Sequence, residues 1–342
     1  MKSAVVICPG RGTYNKTELG YLRQHFPNAG MLADFDRQRN ERGQVPVTEL
    51  DGAERFSMAV HTRGDNASAL IYASSLGDFL SIDRNEIEVV AVTGNSMGWY
   101  TALACGGALS ASDGFRVANT MGTLMQASLI GGQLVYPFSD EEWNPRPARR
   151  AELLTLVSEL AARPECELFV SIELGGMLVL AGNEAGLAAF ETAVEPVQQR
   201  FPMRLGNHAA FHTPLVTPVA EAGRAELPAS LFRSPDLPMI DGRGKVWWPQ
   251  ASDPAAIHAY TLDTQVVQTY DFTRAITVAA REFAPDLFIV VGPGNTLGGA
   301  VAQSLVQAGW LDMRSKAQFA AIQQERGLLV SMGLPEQRGQ VA

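Results

Sequence analysis

The strongest chemical signal in this sequence is the pentapeptide Gly94-Asn95-Ser96-Met97-Gly98. A serine between two glycines, after the apolar run Glu88 to Thr93 and before the helical stretch Trp99 to Leu109, has the G-x-S-x-G pattern of a nucleophile elbow. Glycines on both sides permit a crowded turn that lifts the hydroxyl clear of the backbone. The helix behind it offers unpaired N–H groups and partial positive charge to an oxygen that gains negative charge. The chemistry this would allow is attack on an acyl carbon through an acyl-serine ester. The alternative is a structural turn that happens to contain a serine.

A serine hydroxyl is a weak nucleophile without a base to take its proton. The histidines are His25, His61, His208, His212 and His258. His25 lies in an early polar helix and His61 at a polar turn, so both read as solvated; His258 lies in a polar connection. His208 and His212 share the segment Asn207 to Leu215, and spacing does not choose between them.

Composition bounds what must hold these residues. At 342 residues the chain is long enough for two domains, or for one large domain with an insertion. With 46% hydrophobic and 18% charged residues it can fill a core and is not a disordered chain. The net charge of −9 argues against general nucleic-acid binding and against anionic membranes. Cys8, Cys105 and Cys166 are odd in number and far apart, which indicates neither a disulfide framework nor a metal site and fits a reducing, cytoplasmic setting. The apolar run Ala4 to Cys8 is too short for a signal peptide or a membrane span and reads as a buried strand.

Four apolar runs end at glycine: AVVIC before PGRG, EVVAV before TGNSMG, MLVLA before GNEAG, and DLFIVV before GPGN. Such runs predict parallel strands buried on both faces. Helical stretches lie between them at Tyr100 to Leu109, Gly114 to Ser128, Arg149 to Arg163 and Phe272 to Phe283, so the fold class is α/β. From Ala127 to about Asn207 the order becomes strand, helix, two strands, then a helix from Ala185 to Arg200. That is a small α+β unit with an antiparallel sheet. Residues 127–207 are therefore expected as a subdomain inserted into a larger domain made of 1–126 and 208–342. The tail from about Pro335 is polar and expected to fray.

Five blocks in order resemble one family: the malonyl-CoA:acyl-carrier-protein transacylases and the acyltransferase domains of fatty acid and polyketide synthases. GNSMGWYTALACGGALSASDGFR is similar to the family's GHS-[LIM]-GE-[YW]-[ST]-AL segment, PGRG to its PGQG, and AAFHTPLV to its AFH-[ST]-P-L-[MV] histidine segment. Leu262 to Gln265 with Tyr270 to Thr273 resembles its L-x-x-Q element, and VGPGNTLGG its late GPG-x-x-L segment. The likeness covers nearly the whole chain. It implies a hydrolase-like large domain with a parallel sheet and a ferredoxin-like inserted domain. Ser96 would be the nucleophile and His212 the base, which selects it over His208. A backbone carbonyl near Gln265 would orient the imidazole, and the amides of Met97 and Arg11 would form the oxyanion hole. The reaction would be ping-pong exchange of an acyl group between coenzyme A and the phosphopantetheine thiol of an acyl carrier protein, with no metal or redox cofactor.

Departures from the family pattern bear on the acyl group. Family members that take malonyl groups carry an arginine in the helix after the elbow, and here Met121 stands at that position. A thioether cannot neutralise a carboxylate, and removing one partner of a buried ion pair costs about 3–5 kcal/mol. A neutral acyl group is therefore expected. Met121 as plain core filler, with the carboxylate held elsewhere, is the alternative, and Arg11 could supply a guanidinium from another direction. Asn95 and Trp99 replace the family's histidine and glutamate at the elbow. Together with Met121, Ala210 and Phe211 they are candidate acyl-pocket residues, with packing against a neighbouring strand as the equal alternative for Trp99. The family's SPGQ turn becomes Leu174-Gly175-Gly176-Met177. Arg146, Arg149, Arg150, Arg200 and Arg204 are the available basic cluster for carrier-protein docking, with a solvated helix face as the alternative. Two other functions stay open: an acyl-thioester hydrolase using the same dyad, and a non-catalytic domain of a synthase complex.

Overall fold

The computed structural model describes residues 1–342. Eleven strands form two sheets. They are β1 (Lys2–Cys8), β2 (Ile87–Gly94), β3 (Gly132–Pro137), β4 (Leu168–Leu174), β5 (Met177–Gly182), β6 (Met203–Leu205), β7 (Met239–Ile240), β8 (Val246–Trp247), β9 (Tyr270–Asp271), β10 (Leu287–Val290) and β11 (Leu329–Ser331). The larger sheet has the order β11-β10-β1-β2-β7-β8. It is parallel from β11 to β7, and β8 turns back antiparallel on β7. In its centre Ala4 to Cys8 are fully buried, as a strand covered by helices on both faces must be.

The helices that matter for the site are α1 (Gly64–Ser81), α2 (Gly98–Cys105), α3 (Ala111–Ala127), α4 (Pro147–Ala161), α5 (Glu184–Ala193), α6 (Thr217–Glu226), α7 (Phe272–Phe283) and α8 (Thr296–Gln307). The side chain of Ser110 caps α3 by accepting from the Asp113 amide, and Asp271 caps α7 through the Arg274 amide.

The second sheet has the order β6-β3-β5-β4-β9. Its first four strands are mutually antiparallel, and with α4 and α5 they run strand, helix, two strands, helix, strand. This is the ferredoxin-like arrangement. The run MLVLA belongs to this antiparallel sheet and not to the parallel one, because an apolar run reports burial on two faces and says nothing of strand direction. The two-residue strand β9 adds to β4 in parallel, so the chain after Gln265 reaches across from the large domain to the small one. Thr273 strengthens that link by accepting from the Gly175 amide at 2.7 Å.

Two local expectations are corrected. The helix expected from Ala185 to Arg200 stops at Ala193, three residues before Pro196. The C-terminal tail does not fray: Val341 is buried, its carbonyl accepts from the Asp83 amide, and Arg338 pairs with the buried Asp78 at 2.6 Å. No helix is long and apolar enough to cross a membrane.

Candidate active site

β1 and β2 are neighbours whose last residues, Cys8 and Gly94, lie in register. The loop after each strand therefore leaves the carboxyl edge of the sheet side by side, where open α/β sheets place their ligands. The amide of Asn95 donates to the carbonyl of Cys8 at 2.9 Å and ties the two loops together. Space here is tight enough to require glycine. A Cβ on Gly98 would lie 2.1 Å from the Cys8 carbonyl oxygen, and one on Gly94 would lie 2.3 Å from the Gly98 backbone. Ser96 itself sits at φ 56°, the left-handed conformation that aims its side chain away from the turn.

The Ser96 hydroxyl donates to Nε2 of His212 at 2.7 Å. His212 is 4% exposed and also has positive φ, at 58°. Its loop is pinned by three bonds: the Ala210 amide to the Ile130 carbonyl, the Thr213 hydroxyl to the Ala210 carbonyl, and the Ser171 hydroxyl to the Phe211 carbonyl. Nδ1 of His212 lies 2.7 Å from the backbone carbonyl of Gln265. A carbonyl only accepts, so Nδ1 carries the proton and Nε2 is left free to take one from serine. That carbonyl is available because Gln265 lies in the last turn of a helical segment, following a π-helical turn at Tyr260–Thr264 and ending at Val267. The Gln265 side chain donates to the Ser96 carbonyl at 3.0 Å and accepts from the Tyr100 hydroxyl at 3.2 Å. Tyr270 adds support the sequence did not reveal: its hydroxyl donates to the Gly94 carbonyl at 2.6 Å, and its ring packs 5.4 Å from that of His212. Burial lowers the His212 pKa to about 4, with the bond to Gln265 opposing the shift.

A cavity of about 40 Å³ opens beside the dyad, lined among others by Arg11, Ser96, Met97, Met121, Phe211 and His212. The amides of Met97 and Arg11 donate to no backbone carbonyl. Met121 is buried against Gly223 of α6, where the absent side chain leaves it room. Gly64 and Ser68 of α1, Tyr100 of α2, Met125 of α3 and Val266 complete much of the wall. None of these five was singled out by motif, because only the folded chain brings α1 beside α3. Arg11 extends from the loop after β1, donates to the Thr62 carbonyl at 2.9 Å and lies over the Phe211 ring at 5.5 Å. Burial lowers its pKa to about 10, with Asp65 opposing. A second, wider cleft of about 730 Å³ runs outward between the small sheet and the loops after β1 and β2, and shares Arg11, Ser96 and Phe211 with the small cavity.

Several candidates fall elsewhere. Trp99 does not line the acyl cavity: it is fully buried, with its indole N–H donating to Thr261 at 3.0 Å. Its place three residues past Ser96 turns it into the core. Ala210 is likewise buried outside the cavity, where its amide anchors the histidine loop. Asn95 faces the outer cleft and not the acyl cavity. His61, read as solvated, is 2% exposed and bonded to the Leu50 carbonyl. The basic cluster is largely neutralised: Arg146 pairs with Asp140, Arg149 with Glu152, Arg150 with Glu173, and Arg204 with Glu184 and Glu191. Arg200 alone among them has no carboxylate partner; it lies over Phe201 and lines the outer cleft.

A serine raised on a strand–helix turn, with an imidazole against it and two free amides beside it, is chemically able to carry acyl transfer through a serine ester. No protein-family model matches the chain. It is 24% identical over 312 residues to a type I phenolphthiocerol synthesis polyketide synthase of Mycobacterium marinum, a match covering 90% of this chain and 14% of the synthase. It is 22% identical over 338 residues to a malonyl CoA-acyl carrier protein transacylase of Haemophilus influenzae, covering 95% and 99% of the two chains. The fold matches the malonyl-CoA:ACP transacylase of Synechocystis with a TM-score of 0.74 at 16% identity, over 100% of both chains. It also matches a type II polyketide synthase malonyl-transacylase solved in complex with its acyl carrier protein, with a TM-score of 0.69 at 18% identity, over 89% and 93%. In sequence the chain is similar to malonyl CoA-acyl carrier protein transacylases and to polyketide synthases, and it shares the fold of the solved transacylases.

Proposed function

We propose that this chain moves a short, neutral acyl group between the thioesters of coenzyme A and an acyl carrier protein by way of an acyl ester on Ser96. The observation that carries this reading is the 2.7 Å contact between the Ser96 hydroxyl and a His212 nitrogen free to accept its proton. Ser96 Oγ attacks the thioester carbonyl while Nε2 takes the hydroxyl proton. The amides of Met97 and Arg11 hold the oxygen that becomes negative. The carbon–sulfur bond then breaks and the departing thiolate takes the proton from Nε2. In the second half, the incoming thiol gives its proton to Nε2 and its sulfur attacks the ester, and Ser96 recovers the proton as it leaves. Gln265 plays the part an acid plays in other serine enzymes: its carbonyl holds the Nδ1 proton and steadies the transient imidazolium. These steps use only the dyad and backbone amides. A carrier protein as partner is supported by the related transacylase solved with its own carrier.

The cavity supports the choice of acyl group. At about 40 Å³ it has room for roughly three water molecules, at about 10–15 Å³ each. Its apolar lining includes Met121, Met125 and Val266, and Arg11 is the one cation among its lining residues. The Arg11 guanidinium is held by the Thr62 carbonyl and the residue lines the outer cleft as well, so its charge is not committed to the small cavity. A carboxylate buried against Met121 without a partner would cost about 3–5 kcal/mol, or about two to nearly four powers of ten in rate.

The test is a panel of acetyl-, propionyl- and malonyl-CoA offered to the wild-type chain and to Met121→Arg, with acyl-Ser96 measured by mass spectrometry. Acetyl or propionyl should label the wild type faster than malonyl, and Met121→Arg should reverse the order. Faster labelling by malonyl in the wild type would overturn the neutral-acyl reading. Release of free acid in the presence of a carrier thiol, in place of transfer, would assign hydrolysis.

A further inference from the structure

Next to the dyad lies a second imidazole that the chemistry above does not use. Nδ1 of His208 is 2.7 Å from Oε1 of Gln133, Nε2 of Gln133 donates to the Ser171 hydroxyl at 2.7 Å, and that hydroxyl donates to the Phe211 carbonyl at 2.7 Å. The last link fixes the direction of all the others. A carbonyl cannot donate, so Ser171 must donate to it and can only accept from the Gln133 amide. The Gln133 oxygen then faces His208, and Nδ1 of His208 must carry the ring proton. Its Nε2 is left as a bare acceptor with no partner in the protein, on the wall of the outer cleft that also contains Ser96.

Arg11 supplies the complementary group. It lines the same cleft, and its guanidinium has one protein partner, the Thr62 carbonyl, which leaves further N–H donors unused. Both groups pack on one ring: Arg11 lies 5.5 Å and His208 5.6 Å from the centre of Phe211. A cation that donates and an imidazole that accepts, both against one aromatic ring, match the carbonyl, the N–H and the apolar flank of a secondary amide. Thioesters of coenzyme A and of carrier proteins present such a group two carbons from the sulfur.

We propose that His208 and Arg11 are positioning residues that clamp the substrate amide nearest the thioester, His208 Nε2 accepting its N–H and Arg11 donating to its carbonyl. This deepens the proposed function and rests on it. The clamp would set the thioester carbonyl over Ser96 while leaving the acyl chain free to enter the small cavity. Burial, and then the charge of Arg11, lower the His208 pKa to about 3, so the ring stays neutral and accepting at ordinary assay pH.

The experiment compares two small thioesters, S-acetyl-N-acetylcysteamine and the same compound methylated on its amide nitrogen, on the wild-type chain and on His208→Ala. Acylation of Ser96 is followed by mass spectrometry as kcat/KM. Losing one hydrogen bond to an otherwise unpaired acceptor should lower the wild-type value about tenfold, mainly through KM. In His208→Ala the methyl group should cost less than twofold, because the acceptor it blocks is gone. A methyl penalty of equal size in both chains, or none in the wild type, would overturn the clamp while acyl-Ser96 still forms. If His208→Ala does not fold, His208→Leu takes its place in the comparison, and an absent penalty in the wild type overturns the clamp without either variant. If neither thioester labels Ser96, the proposed function falls and the clamp falls with it.

Discussion

Lowering the pH titrates the one base the chemistry needs. His212 has a pKa of about 4 in the folded chain because burial disfavours its charge. An ordinary histidine titrates near 6.5. At pH 5.5 the buried ring is therefore about 97% neutral, where an ordinary one would be about 9% neutral. The rate of Ser96 acylation by p-nitrophenyl acetate, followed as the release of nitrophenol, should stay nearly level from pH 8 to about 5. Below about 4 it should fall tenfold per pH unit. Stability moves with it: the unfolded chain binds a proton at this ring below about 6.5 and the folded chain only below about 4. Stability is thus complete above about 6.5 and is lost as pH falls toward 4, by about 3 kcal/mol from this ring alone. Circular dichroism at each pH separates loss of fold from protonation of the base. An acid limb centred near pH 6.5 in protein that is still folded would refute the link between burial and basicity.

Other perturbations test the elements that hold the site. Gly98→Ala would push a Cβ to 2.1 Å from the Cys8 carbonyl oxygen, where only backbone could yield, so a cost of about 3 kcal/mol or more and loss of acylation are expected in thermal melts and burst assays. Gly223→Ala meets Met121 sulfur at 2.6 Å, a flexible group, so a milder loss of about 1–3 kcal/mol is expected. The displaced Met121 should narrow the cavity, and the ratio of propionyl to acetyl labelling should fall. Arg338→Ala leaves Asp78 buried without its cation, which should cost about 3–5 kcal/mol in denaturant unfolding and less at low pH, where the carboxyl is neutral.

Local signals carried the reading of the sequence furthest. Ser96 was visible because a serine between glycines at a strand–helix junction is a contiguous pattern, and the structure sets it at that junction. The choice of His212 over His208 needed the resemblance, since the distinction lies in the Gln265 carbonyl 53 residues away. The wall formed by Gly64 and Ser68 was not legible at all, for it depends on α1 lying against α3. Ala210 was misplaced, and Trp99 left between pocket and core, for a related reason: adjacency to the nucleophile or the base in sequence does not fix which way a side chain turns. Charge counting could not show that Arg146, Arg150 and Arg204 meet carboxylates, because Glu173 and Glu191 lie on other elements and Asp140 in a preceding loop; only the Arg149–Glu152 pair follows helical spacing. β9 escaped notice because two residues are too few to show a period, although they join the small sheet and carry Tyr270 under the dyad.

The central claim is a covalent one and has a direct measurement. The wild-type chain, Ser96→Ala and His212→Ala are each mixed with acetyl-CoA, digested and examined by tandem mass spectrometry. The dyad chemistry predicts one acetyl group on the peptide containing Ser96 in the wild type, its transfer to an added holo-carrier protein, none in Ser96→Ala and greatly slowed labelling in His212→Ala. Acetyl found on another residue, or undiminished thioester turnover by Ser96→Ala, would contradict it.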